Sequence, residues 1–95
     1  MMKTQVRRPV IDMKFRDEFR AKHPGAICLF QTGSFYEAFH DDAITCGQRL
    51  GLTVTKIDKH SANPIPMAGF PSHHKDMYVA KLAQCGYRVV IHEQE

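Results

Sequence analysis

The stretch that decides the fold is AICLFQTGSFYEAF, residues 26–39. Its first part, Ala26 to Phe30, is a short apolar run with the length and composition of a buried strand. Gly33 and Ser34 follow, and a second β-prone run extends from Phe35 to Phe39. Two residues with glycine first, between two such runs, are typical of a tight β-hairpin turn. The stretch therefore predicts two antiparallel strands.

A helix start is the competing interpretation of the same residues. Ser34 and Glu37 have the spacing of a capping box, which would begin a helix at Phe35. On a helix the side chains of Phe35 and Glu37 would point about 200° apart, whereas on a strand residues two apart share a face. We favour the hairpin because it sorts the side chains onto two faces. It predicts core positions for Tyr36 and Ala38 and outward positions for Phe35, Glu37 and Phe39.

Helical patterns flank the hairpin on both sides. On the N-terminal side, apolar residues recur at i, i+4 and i+8 and form one stripe of a helix: Ile11, Phe15 and Phe19. We expect this helix to end at His23-Pro24-Gly25. On the C-terminal side, Asp41 or Asp42 is the expected N-cap of a second helix, which Gly51 ends.

Two more strands and one more helix complete the chain. Alternating polarity predicts a strand over Leu52–Thr55. The segment from Pro64 to Met67 is expected at a sheet edge, because its prolines lack the N–H that a central strand donates. Ser72 can cap a third helix, which Gly86 ends, and Tyr87 to Ile91 is the last strand.

The elements therefore occur in the order α-β-β-α-β-β-α-β. This order predicts an α/β fold of the α+β type, with a mixed β-sheet flanked by helices. With 95 residues the chain should form a single domain, residues 1–95, in which residues 1–9 are a flexible arm.

Composition excludes several classes of protein. No apolar run approaches the ~20 residues that cross a bilayer, and the N-terminus lacks the apolar region of a secretion signal, so we expect no membrane partner. The three cysteines, Cys28, Cys46 and Cys85, are an odd number without a CxxC pair, which favours buried, reduced thiols in the cytoplasm. A net charge of +3 permits an anionic partner without requiring one.

No pattern in the sequence indicates catalysis. His73-His74 with Asp76 lacks the spacing of a metal-binding helix, and Asp41-Asp42 is explained as the acidic start of a helix. The glycines form no P-loop, so nucleotide binding of that kind is excluded. We therefore expect neither an enzyme nor a metal site.

Phe35 and Glu37 are the candidate binding residues. An exposed ring beside a carboxylate can stack on a base while the acid accepts a hydrogen bond from it. An apolar wedge of this kind unstacks and kinks a duplex. Because a carboxylate near phosphates is electrostatically unfavourable, Glu37 should contribute selectivity more than affinity.

Several ordered blocks of the sequence resemble the N-terminal mismatch-recognition domain, domain I, of the bacterial MutS proteins. The most extensive block is residues 27–39, ICLFQTGSFYEAF. The others are residues 42–43, 50–56, 64–71, 73, 78–82, 86–91 and 93–94. Together they cover about residues 10 to 95.

This resemblance implies that the chain binds mismatched DNA. Phe35 would enter the minor groove and stack on the mispaired base, and Glu37 would hydrogen-bond to that base. Candidate contacts to the DNA backbone are Lys56, Lys59 and Lys75. The implied partners are double-stranded DNA with mispairs or small insertion loops and other MutS domains or a MutS-like partner. The implied location is the cytoplasm, in association with the nucleoid.

The resemblance also sets expectations about the rest of the family's proteins. The family domain continues with further strand structure beyond Glu95, and connector, lever, clamp and ATPase domains are added to it. ATP and magnesium belong to those domains, so no cofactor is expected in this chain. The sequence departs from the family pattern at Ser34, Ile57 and Ser72, where the family usually has Asp, Arg and Tyr.

A protein-interaction module is the alternative function. In this interpretation the fold is retained without the DNA role. Three features motivate it: the absence of the family's other domains from these 95 residues, the weak net charge and the predicted exposed edge at Pro64–Met67.

Overall fold

The computed structural model describes residues 13–58 and 60–93. The predicted arm, residues 1–9, and the candidate contact Lys59 lie outside the described residues, as does Ile11 of the predicted stripe. The elements, in chain order, are α1 (Met13–Ala21), β1 (Ala26–Thr32), β2 (Phe35–Phe39), α2 (Asp41–Leu50), β3 (Thr55–Ile57), β4 (Ile65–Pro71), a 3-10 turn (Ser72–His74), α3 (Lys75–Gln84) and β5 (Arg88–His92). The predicted order of helices and strands is confirmed.

The strands form one mixed sheet in the order β3-β4-β2-β1-β5. β1 and β5 are parallel, and the other neighbours are antiparallel. The predicted fold class is therefore confirmed. β2 lies at the centre of the sheet, with β1 on one side and β4 on the other.

The hairpin at the centre of the sheet is confirmed, and the helix start at Phe35 is wrong. Thr32 pairs with Phe35, which leaves Gly33 and Ser34 as a two-residue turn. Gly33 has a φ of 59°, a left-handed value that glycine adopts without steric cost at the first central position of such a turn. The carbonyl of Ser34 accepts a hydrogen bond of 2.7 Å from the N–H of Ser72, which ties the turn to the end of β4.

Helices cover both faces of the sheet. On one face α2 and α3 pack against a cluster of buried residues: Ile27, Leu29, Tyr36, Ala38, Ala43, Cys46, Leu50, Ala68, Phe70 and Leu82. On the other face α1 packs against Cys28, Phe30 and Phe39. Phe15 and Phe19 of α1 place their ring centroids 6.4 and 5.2 Å from that of Phe30, as the predicted stripe requires.

The expected exposure of β2 is wrong for two of the three residues on its second face. Tyr36 and Ala38 are in the core, as predicted. Phe35, Glu37 and Phe39 share the other face, but Phe39 is fully buried and Glu37 is only 5% exposed. Alternation assigns residues correctly to two faces, but it does not tell whether a second layer covers one of them. Here α1 covers Phe39, and of these three residues Phe35 remains exposed, at 45%.

The predicted edge strand is also wrong. The segment becomes β4, which lies between β3 and β2. Pro66 is accommodated there because β2 ends at Phe39, opposite Met67, so no residue of β2 needs a donor from Pro66. Instead the carbonyl of Pro66 accepts a hydrogen bond of 3.0 Å from the N–H of His40.

Two helix caps differ from the prediction. His40, not Asp41 or Asp42, is the N-cap of α2, and it makes no side-chain cap. Asp42 has another partner set, since its carboxylate accepts hydrogen bonds of 3.1 Å from Arg20 Nε and from the N–H of Cys28. This buried acid thus joins α2 to α1 and β1. Ser72 begins the 3-10 turn, and it does not cap α3, whose N-cap is His74.

The predicted strand over Leu52–Thr55 is displaced toward the C-terminus. Pairing begins at Thr55, and Leu52 and Val54 pack against the core instead. Val54 lies so close to α2 that a Cβ on Gly47 would stand 2.5 Å from its Cγ2. Packing against the helix therefore replaces strand pairing here. Gly51 ends α2 with a φ of 74°, as predicted.

We expect truncation of Phe39 to destabilise the chain far more than truncation of Phe35. Phe39→Ala leaves a cavity in a closed cluster and should lower the free energy of unfolding by about 3–5 kcal/mol. Phe35→Ala removes a half-exposed ring and should cost about 1 kcal/mol or less. Urea unfolding followed by circular dichroism measures both, and equal losses would place Phe35 in the core.

Candidate nucleic-acid interface

Phe35 is presented by a rigid part of the fold. It is the first residue of β2, directly after the turn, and pairs with Thr32 on β1 and with Pro71 on β4. Its backbone is therefore held from both sides, while its ring is 45% exposed. A large apolar side chain on a backbone held in this way can insert into a binding partner while the strand keeps its conformation.

Glu37 lies on the same face as Phe35, two residues along the strand. Its neighbours across the sheet are Phe30 on β1 and Gly69 on β4. The side chain is only 5% exposed, yet it lines the same groove as Phe35. The structure thus brings the two predicted base-contacting residues together along one groove, with Phe35 exposed and Glu37 buried.

The groove beside Phe35 has a volume of about 700 Å³. This is within the roughly 300–1,000 Å³ of sites that hold small organic groups. Its surface is mainly apolar, with threonine hydroxyls and one carboxylate, and its lining residues are Thr32, Gly33, Ser34, Phe35, Glu37, Thr53, Thr55, Met67, Ala68 and Gly69. The sequence does not indicate the groove, because Thr55 and Met67 reach it only through the pairing of β3, β4 and β2.

The described lysines of the predicted site lie on the opposite face of the sheet. Lys56 pairs with Pro66, which alternation places on the face of Tyr36. The Lys75 ammonium lies 5.7 Å from the centre of the Tyr36 ring, on that same face. The structure therefore does not bring Lys56 or Lys75 to the groove, and their contact with the DNA backbone stays a prediction.

A polar cluster holds Tyr36, the residue between Phe35 and Glu37. The Tyr36 hydroxyl donates a hydrogen bond of 3.2 Å to Glu93, and the Lys75 ammonium donates one of 3.3 Å to the same oxygen. The bond from Lys75, followed by that from Tyr36, lowers the pKa of Glu93. Burial, followed by the bond to Glu93, raises the pKa of Tyr36. No short-range pattern predicts this cluster, because its members are far apart in the sequence.

Within residues 13–58 and 60–93, no group of three or more His, Cys, Asp or Glu side chains could hold a metal ion. The rings of His73 and His74 pack against each other, with centroids 4.1 Å apart. In the same part of the chain, no helix combines the length and apolar character needed to span a bilayer.

The thiols fall into two environments. Cys28 and Cys46 are buried, as predicted, whereas Cys85 at the end of α3 is exposed, so the expectation of burial is wrong for it. Burial raises the pKa of Cys46 to about 12 and also raises the pKa of Cys28. Both buried thiols are therefore protonated at neutral pH.

Residues 12–95 match the family model of MutS domain I. The chain belongs to this family. It is 47% identical over 77 residues to the DNA mismatch repair protein MutS of Lactococcus lactis subsp. lactis (strain IL1403), covering 81% of this chain and 9% of that protein.

Two further members of the MutS family show a similar extent of likeness. The chain is 48% identical over 82 residues to the DNA mismatch repair protein MutS of Phocaeicola vulgatus (strain ATCC 8482), covering 86% of this chain and 9% of that protein. For the protein of the same name in Bartonella tribocorum (strain CIP 105476), the identity is 44% over 87 residues, covering 92% and 10%. This MutS domain I chain thus spans about a tenth of the length of these relatives.

We expect one thiol of this MutS domain I to react rapidly with a disulfide reagent such as Ellman's reagent. At pH 8 Cys85 should react in the folded chain, whereas Cys28 and Cys46 should react at the rate of unfolding. Cys85→Ser is the matched control and should remove the fast phase. A fast phase that persists in this variant would contradict the burial of the other two thiols.

Proposed function

We propose that this chain is the mismatched-DNA-binding domain of a DNA mismatch repair protein. Phe35 inserts as a stacking wedge at a mispair, and Glu37 hydrogen-bonds to the displaced base. The observation that carries the proposal is the exposed Phe35 ring beside Glu37 on one face of a central strand. The membership in MutS domain I and the relatives named DNA mismatch repair protein MutS support it.

The anchoring of Phe35 favours a wedge over a flexible contact. Its strand is paired on both sides, and the turn before it is held by the bond between Ser34 and Ser72. A ring that is already in place loses little conformational freedom on binding, so more of its stacking energy remains for the complex. Base–aromatic stacking contributes about 1–3 kcal/mol and accepts any base.

Selectivity for mispairs follows from the cost of opening the duplex. Insertion of Phe35 requires that neighbouring bases unstack, which costs a few kcal/mol and least at a mismatched or unpaired base. The same wedge therefore binds more weakly to a fully paired duplex. DNA with mispairs or small insertion loops is the proposed partner.

Glu37 adds a second contact, a hydrogen bond that forms only with a displaced base. Because it is only 5% exposed, a base edge reaches its carboxylate through the groove beside Phe35. A negative charge near phosphates opposes binding in general, and a hydrogen bond from a displaced base offsets this. Glu37 therefore raises the ratio of mismatched to matched binding rather than the affinity for both.

Binding by this chain alone should be weak and strongly salt-dependent. The net charge is only +3, and Lys56 and Lys75 lie on the face away from the groove. We propose that other MutS domains or a MutS-like partner supply the remaining DNA contacts. We also propose that ATP and magnesium act in those domains, and that the assembly works in the cytoplasm near the nucleoid.

The alternative of a protein-interaction module loses one of its three motivations. The predicted free edge at Pro64–Met67 belongs largely to β4, which β3 covers. The weak net charge is equally compatible with a DNA-binding domain that acts together with others. DNA recognition is therefore the function that the geometry supports best.

We expect Phe35→Ala to remove the preference for mismatched DNA. Duplexes with a G·T mispair, with one unpaired base and with full pairing are compared at low salt by fluorescence anisotropy. The ratio of matched to mismatched Kd should fall about 5-fold to 100-fold, the equivalent of one lost stacking contact.

Met77→Ala is the matched control for this experiment. Met77 has the same exposure as Phe35, 46% against 45%, but lies on α3, which packs against the opposite face of the sheet. It should leave the ratio unchanged. An equal loss of affinity for matched and mismatched duplexes in Phe35→Ala would count against the wedge, as would an absence of preference in the unaltered chain.

A further inference from the structure

Gly69 lies directly opposite Glu37 in the pairing of β2 with β4. Its backbone does not explain why this residue is glycine, because Gly69 is not among the residues with positive φ, whereas Gly33 and Gly51 are. In an ordinary strand conformation glycine is unfavourable, since it packs nothing and loses more conformational freedom than other residues. The reason for glycine must therefore be the space above it.

That space is occupied by β2. A Cβ at position 69 would lie 2.9 Å from the carbonyl oxygen of Tyr36 and 3.2 Å from Cγ of Glu37. The Tyr36 carbonyl belongs to the backbone of a strand paired on both sides and cannot move freely. A methyl at position 69 therefore requires a small shift between β4 and β2 at the Tyr36 carbonyl, and it also requires the Glu37 side chain, which can rotate, to move away.

Phe30, the neighbour of Glu37 on β1, restricts where the Glu37 side chain can move. Glu37 pairs with Phe30 on β1. Phe30 is 1% exposed, and its ring packs edge-on against the ring of Phe19, with centroids 5.2 Å apart. Glu37 thus has the buried Phe30 on one side, and on the other side its Cγ lies over Gly69, next to the groove that both residues line.

We propose that Gly69 is a specificity-determining position for mismatched DNA. Its missing side chain keeps the groove open beside Glu37 and fixes where the carboxylate lies relative to the Phe35 ring. Gly69 touches no DNA in this account, so it is a positioning residue that acts through Glu37. The inference rests on the proposed function, in which Glu37 hydrogen-bonds to a base at the mispair.

The test is a double-mutant cycle between positions 69 and 37, carried out on the 95-residue chain. The unaltered chain, Gly69→Ala, Glu37→Ala and the double variant are measured with a G·T duplex and its fully paired counterpart at low salt. Thermal unfolding of each variant is recorded alongside. If Gly69 acts through Glu37, Gly69→Ala should lower the ratio of matched to mismatched Kd about 5-fold or more, and should change it less than about 2-fold once Glu37 is alanine.

Gly51→Ala is the matched control for loss of stability. Gly51 has a φ of 74°, so alanine there strains the end of α2, but nothing lies within 4 Å of the added Cβ. This variant should lower the melting temperature and leave the ratio unchanged.

Two results would overturn the proposal while the proposed function stands. One is an unchanged ratio of matched to mismatched Kd in folded Gly69→Ala. The other is an equal fall of this ratio with glutamate or with alanine at position 37, because Gly69 would then act on the structure and not through Glu37. If Gly69→Ala fails to fold, the double variant decides: recovered folding supports the clash with Glu37, and continued failure assigns glycine to the Tyr36 carbonyl and overturns the proposal. If the unaltered chain shows no preference for mismatched DNA, that result contradicts the proposed function itself.

Discussion

The pairing of β2 on both sides is the constraint on which the rest of the structure depends. Pairing with β4 over Phe35–Phe39 and with β1 over Phe35–Glu37 fixes the backbone of β2 and therefore fixes which face each side chain occupies. One face is closed by α2 and α3 and the other by α1. A strand held in this way can carry an exposed ring at its first residue, because its stability comes from the residues that follow.

The hairpin could be predicted from the sequence because its determinants are local. Gly33 supplies the φ that the turn needs, and two β-prone runs flank it directly. Alternation also assigned Phe35, Glu37 and Phe39 correctly to one face. It could not predict their burial, because the helix that covers Phe39 begins more than twenty residues earlier. No pattern within β2 indicates that α1 packs against it.

The errors elsewhere have the same origin in long-range packing. Proline suggested an edge strand, but Pro66 lies beside the end of β2, where no donor is needed. Asp42 looked like a helix cap, but its carboxylate binds Arg20 and the N–H of Cys28. Lys56 and Lys75 are candidate backbone contacts, but strand pairing places Lys56 on the other face, and the contact with the Tyr36 ring places Lys75 there.

The departures from the family pattern can be compared with the structure residue by residue. Ser34 and Ser72, two of the atypical residues, meet through main-chain atoms, so their hydrogen bond does not depend on either side chain. Ile57, where the family usually has arginine, is half-buried and packs against the cluster that contains Phe39. An apolar residue there adds to the packing of this cluster and carries no positive charge.

In the proposed function, their different exposure gives Phe35 and Glu37 different contacts with DNA. The ring can meet DNA first because it is exposed, and stacking does not depend on which base it meets. The carboxylate is reached through the groove, and that requires a base displaced from its normal position. The order of the two contacts is thus set by burial, with an unselective step before a selective one. In the further inference proposed above, Gly69 acts on this second contact, because a side chain there would crowd Glu37 Cγ as well as the Tyr36 carbonyl.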